Sequence, residues 1–163
     1  MKKIGCISIA VLVSAFIIIA GCSNESDRNV KTIQTFLEFE LTGPSDELIK
    51  ELDRVSPYPP DAYLEENYKP LVADLDRLVK SNLVLIWLRE AASKGYQLKP
   101  VSIEIQKADT QNDAYDFEVK VEYSKDGQTS TDTITGRINI DNEGKIVSIR
   151  NINGFELIQK MRE

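Results

Sequence analysis

The chain has 163 residues, 20 basic against 26 acidic side chains for a net charge of −6, two cysteines and no histidine. The missing imidazole excludes Ser-His-Asp and Cys-His catalysis and histidine-based zinc sites. The acidic balance argues against nucleic acid and anionic lipid headgroups as partners, because binding by counterion release requires clustered Lys and Arg.

The chain opens with Met1-Lys2-Lys3 and continues with an apolar stretch from Ile4 to Ala20 that is free of charge and ends in Ile19-Ala20-Gly21-Cys22. Its length is marginal for a bilayer span, and Gly5 and Gly21 weaken both ends. This pattern is similar to a bacterial lipoprotein signal. The resemblance implies that residues 1–21 are a signal peptide, that the chain is cut between Gly21 and Cys22, and that the Cys22 thiol carries a lipid. The expected location is the extracytoplasmic face of the cell membrane, tethered without spanning, since two or more acyl chains hold stably. Cys6 would leave with the signal, so the folded part has neither a disulfide nor a free thiol. Losing Lys2 and Lys3 moves the net charge from −6 to −8.

After Cys22, residues 22–29 read as a lipidated end and short polar linker, and residues 30–163 as one domain. Helical spacing starts at Val30, Ile33, Phe36, Leu37 and Leu41 and stops at Gly43-Pro44. Ser45 reads as the N-cap of a second helix carrying Leu48, Ile49, Leu52 and Val55. Ser56-Pro57-Tyr58-Pro59-Pro60 is a rigid connector, because three prolines remove donors and favour extended backbone. Helix resumes at Asp61, is perturbed at Lys69-Pro70, and continues through Leu71, Val72, Leu75, Leu78 and Val79. Ser81 is expected to cap a last helix bearing Leu83, Ile86, Trp87 and Ala91 and ending at Gly95.

From Gln97 the period changes to two. Val101, Ile103 and Ile105 alternate with polar residues, as do Tyr115, Phe117, Val119, Val121 and Tyr123. Asp126-Gly127 supplies a hairpin turn into Ile134, Gly136, Ile138 and Ile140. Asp141-Asn142-Glu143-Gly144 then turns into Ile146, Val147, Ile149 and Ile152, and Phe155 to Met161 closes the chain as a helical turn. The expected class is α+β, with N-terminal helices packed on a curved four-stranded antiparallel sheet. Gly136, in mid-strand on the inward parity, fits a bulge or bend.

With Gly136-Arg137-Ile138-Asn139-Ile140 and the Glu143-Gly144-Lys145-Ile146-Val147 hairpin, the chain resembles the nuclear-transport-factor-2-like, cystatin-like cone fold. That resemblance implies a pocket between sheet and helices, used for chemistry in some members and for binding in others. Tyr63, Tyr68, Trp87, Tyr115 and Tyr123 are candidates to line it, each with an apolar ring and a polar tip. No acid falls on the inward parity of the second and third strands, and no apolar site for a raised-pKa carboxylic acid is visible. Asp109 to Asp113 and Asp141 to Gly144 lack calcium-loop spacing, so neither metal nor cofactor is expected.

The reading is a non-catalytic binding or accessory domain, held to the membrane through Cys22, with an envelope protein or a small ligand as partner. One alternative is an isomerase or dehydratase-like enzyme using Tyr and Asp in the cone. Another is a structural spacer, since such domains resemble the stem of some resistance-type penicillin-binding proteins.

Overall fold

The computed structural model describes residues 21–52, 61–109 and 113–163. The apolar signal stretch, the Ser56–Pro60 connector with Tyr58, and the centre of the Asp109–Asp113 loop lie outside the described residues. The elements are α1 (Gly21–Leu41), α2 (Asp46–Leu52), α3 (Asp61–Asn67), α4 (Leu75–Lys80), α5 (Ile86–Lys94), β1 (Gln97–Lys107), β2 (Ala114–Lys125), β3 (Gln128–Ile140), β4 (Ile146–Asn153) and α6 (Phe155–Arg162). The strands form one antiparallel sheet in the order β1-β2-β3-β4. Helices packed on a curved, open sheet make this the expected α+β class. No helix among the described residues is long and apolar enough to cross a membrane.

Helix α1 starts earlier than its apolar spacing predicts. Residues 23–29, expected as a linker, are its first turns. The stripe of Ile33, Phe36, Leu37 and Leu41, each at most 2% exposed, extends back one turn to Asn29, which is buried as well. Asn29 Nδ2 donates to the Tyr115 hydroxyl at 3.3 Å, and the Arg28 guanidinium donates to the Asn142 carbonyl at 3.3 Å. These bonds tie the early turns to β2 and to the β3–β4 turn, which is why the helix does not begin at Val30.

The chain leaves α1 through Gly43, whose φ of +112° suits glycine alone; a Cβ there would lie 2.8 Å from the Ser45 nitrogen. Gly43 exchanges backbone hydrogen bonds with Leu98 at 3.0 and 2.6 Å, pinning the corner to β1. Ser45 Oγ accepts from the Leu48 N–H at 3.2 Å and caps α2 as expected.

Two helical expectations need correction. Leu71–Ala73 is a turn with an isolated bridge rather than a helix: the Ile146 N–H donates to the Leu71 carbonyl and the Ala73 N–H to the Ile146 carbonyl, both at 2.9 Å. Pro70 stops the preceding helix, and pairing with β4 then outweighs local helical spacing. Helix resumes only after Asp74, whose carboxylate accepts from the Arg77 N–H at 2.9 Å. Ser81, expected to open the last helix, closes α4 instead, its hydroxyl donating back to the Leu78 carbonyl.

In the sheet, Tyr115, Phe117, Val119 and Val121 are buried while Asp116, Glu118 and Lys120 are exposed. Ile134 and Ile138 also face inward. Asp126 and Gly127 both take positive φ, the geometry of a type I′ hairpin turn. Val101 departs from its expected inward position and is 53% exposed. The ladder slips between Pro100 and Ser102, turning Val101 outward where Pro100 has no N–H to donate. Gly136 lies where the β3–β4 ladder slips, between Thr135 and Arg137. It also stands directly opposite Phe117, and a Cβ there would lie 2.6 Å from the ring Cζ, so this glycine makes room for the aromatic as well as for the bend.

Phe117→Ala is expected to cost ~3–5 kcal/mol by leaving a cavity, and Lys120→Ala to stay within ~0.5 kcal/mol. Denaturant unfolding of both variants checks this; comparable losses would show that β2 does not divide into a buried and a solvated face.

Candidate functional site

Of the five aromatic residues singled out in the sequence, the structure brings Tyr63 and Tyr68 together, with ring centroids 6.3 Å apart. Tyr68 is fully buried and meets Phe36 edge-on at 5.6 Å and Phe39 at 6.0 Å. Among the described residues no ring contact joins them to the other three. Trp87 donates its indole N–H to the Gly154 carbonyl at 3.1 Å. Tyr115 meets Asn29 under α1. Tyr123 lies near the hairpin end of the sheet, where its ring is 5.9 Å from that of Tyr96. Among the described residues no three acidic side chains gather as metal ligands would.

The residue that sequence reasoning missed is Glu40, the penultimate residue of α1. It is completely buried. Seven residues after Ile33, four after Phe36 and three after Leu37, it falls on the apolar stripe, and that spacing was the available signal. Both of its carboxylate oxygens lie 3.0 Å from the backbone nitrogen of Leu85 and accept from its N–H. Leu85 precedes α5 in a left-handed conformation, φ +57°, and no local side chain caps that helix. Glu40 therefore does the work of an N-cap from 45 residues away.

Burial pushes the Glu40 carboxyl up to about 7 from its ordinary 4.5; the Leu85 N–H, the Tyr68 hydroxyl and the Arg89 guanidinium oppose that rise. The same burial, and then the charge of Glu40, raise the Tyr68 phenol well above its ordinary value. Tyr63 is raised by its own burial, then by Glu40 and by Glu47. The Tyr68 hydroxyl faces the carboxylate but completes no hydrogen bond of good geometry. A carboxylic acid in an apolar site is thus present, against expectation, in α1 rather than in the sheet.

Open space lies on the surface. The outer face of the sheet holds a hollow of about 380 Å³ floored by Phe117 and Gly136 and rimmed by Glu104, Gln106, Asp116, Glu118, Thr135 and Asn151. Asp116 is committed to Arg137 through two hydrogen bonds of 2.6 and 2.8 Å, which hold its carboxyl below the usual range. A second groove, of about 240 Å³, runs between α4 and the edge strand β4.

No family model matches the chain, and no curated protein matches it. A solved structure that does match is the NMR solution structure of TraH, a candidate transfer protein of the Gram-positive conjugative plasmid pIP501. The TM-score is 0.51 at 15% identity, over 80% of this chain and 95% of that one. At such identity the likeness concerns the fold alone, a small α+β arrangement.

An acid raised on folding makes stability depend on pH with a definite sign. Between 4.5 and about 7 the unfolded chain has released the Glu40 proton while the folded chain retains it, so stability falls as pH rises through that window. The full effect is about 3 kcal/mol at most. Glu40→Gln is expected to match the native protein near about pH 5 and to exceed its stability above about pH 7. Unfolding free energies of both proteins across the window check this, and curves that stay parallel would refute it.

Proposed function

We propose that this chain is a membrane-anchored extracytoplasmic lipoprotein whose folded domain is a non-catalytic binding or accessory module. The anchor rests on the Ile19-Ala20-Gly21-Cys22 signature, with lipid on Cys22. The observation that carries the non-catalytic reading is the sealing of Glu40, an acid of suitable pKa with no exposed atom through which to meet a substrate. The helix-facing residues of the sheet support it as well. Tyr115, Phe117, Val119, Val121, Ile134 and Ile138 are at most 4% exposed and belong to one core with the helices, so a hollow cone is not needed to account for their placement. The surface grooves are then the natural binding sites.

An element order of helices followed by a four-stranded meander supports membership of the cone-fold group. The description of TraH as a candidate transfer protein is compatible with an accessory role. Nucleic acid is not the expected ligand, given the net charge of −6.

Metabolic labelling with a radioactive fatty acid tests the anchor. The native chain is expected to take up label and to sediment with membranes, and Cys22→Ala to lose both the label and processing at this cysteine. Label retained on Cys22→Ala would overturn the assignment.

A further inference from the structure

The two edges of the sheet are finished differently. On β1 the outer edge is blunted by the Gly43 bridge, by Pro100 and by the outward-turned Val101. On β4 only Ile146 is engaged from outside, through Leu71 and Ala73; from Val147 to Asn153, apart from the ladder to β3, no backbone hydrogen bond to another segment is made among the described residues. Val72 thus forms an isolated parallel bridge to β4, and this pairing ends where Asp74 turns the chain into α4. Beyond that point the edge lies open to the groove of about 240 Å³, whose opposite wall is α4 and the residues that follow it.

The chemistry of the groove is specific. Arg77 and Arg150 line it, and among the described residues neither has an ion-pair or side-chain hydrogen-bond partner. The one carboxylate in the lining, Asp74, is occupied in capping α4. In a chain of net charge −6, two guanidinium groups without ion-pair partners in one groove beside an open strand edge favour an anionic occupant. Leu83, Ile149 and the exposed Val147 supply apolar contacts. A second copy of this chain docking through the same edge would bring two arginine-lined grooves together, a repulsive arrangement.

We propose that the β4 edge receives an extended acidic segment of a partner protein as a fifth strand, with main-chain hydrogen bonds to β4 and carboxylates on Arg77 and Arg150. The inference deepens the binding-module reading and rests on it, but it is independent of the lipid anchor.

The test uses the full chain in mild detergent and a fluorescent peptide of alternating valine and glutamate, followed by anisotropy. Binding is expected, with at least about tenfold loss in the Arg77→Ala/Arg150→Ala double variant and with a peptide N-methylated along one edge. A valine-lysine peptide should not bind, and Cys22→Ala protein should bind as the native chain does, which separates this result from the fate of the anchor. The double variant should melt as the native chain does, since both arginines lack partners. Three outcomes would overturn the proposal: no binding; equal binding of the N-methylated peptide with displacement by inorganic phosphate, which would mark a simple anion site; or a dimer in sedimentation that the double variant abolishes.

Discussion

The backbone of Leu85 presents its N–H at the start of α5 without a local acceptor, and the fold answers with a charged group from the far end of α1. Burying a carboxylate is costly, and leaving a buried N–H unpaired is costly too. Glu40 and Leu85 meet each need with the other. Much else is arranged around that contact. Helix α5 is fixed against α1, so Leu88 and Ala91 complete the core. It then holds α6 through Trp87 on the Gly154 carbonyl and through Glu90 paired with Arg162 at 2.7 Å. Helix α1 in turn holds the sheet at both of its ends, at Asn29 and at Gly43.

This arrangement separates the chemistry a carboxylic acid could perform from the surfaces a partner could reach. The acid with the most perturbed proton affinity is enclosed by tyrosines and a backbone amide, and solvent touches none of it. The groups that do face solvent, such as Asp116 with Arg137 and Lys107 with Asp113, are exposed ion pairs that contribute little to stability. In the groove beside β4, by contrast with those pairs, the two arginines of the lining have no ion-pair partner among the described residues. A binding role thus draws on the margins of the sheet, and the interior is given over to holding the helices in place.

Much of the architecture was legible from residue types. The helix stop at Gly43, the Ser45 cap, the Gly95 terminus and the Asp126-Gly127 hairpin each follow from local backbone chemistry, and the alternation in β2 specified its buried face. What failed had long-range causes. Leu71 and Val72 fit a helical stripe as well as an extended segment, and only the pairing with Ile146 decides between them. Val101 obeyed the strand period in sequence, but the slip after Pro100 reversed its parity. Asn29 and Glu40 are polar and so stand outside an apolar periodicity, although both fall on the stripe at helical spacing. The partner of Glu40 could not be found this way, since nothing about a leucine foretells a left-handed backbone at position 85.

Trp87 is the only tryptophan in the chain, and it is 3% exposed with its indole N–H bonded to the backbone between β4 and α6. The molecule therefore carries one indole, placed one residue into the helix that Glu40 caps and against the segment that closes the chain. Indole emission, excited at wavelengths that tyrosine does not absorb, belongs to a single environment, so no averaging over sites blurs the signal. Loosening of α6 alone would release the indole to water while the far-ultraviolet signature of the sheet persisted. Fraying of the C-terminus and collapse of the whole domain are thereby optically distinct events.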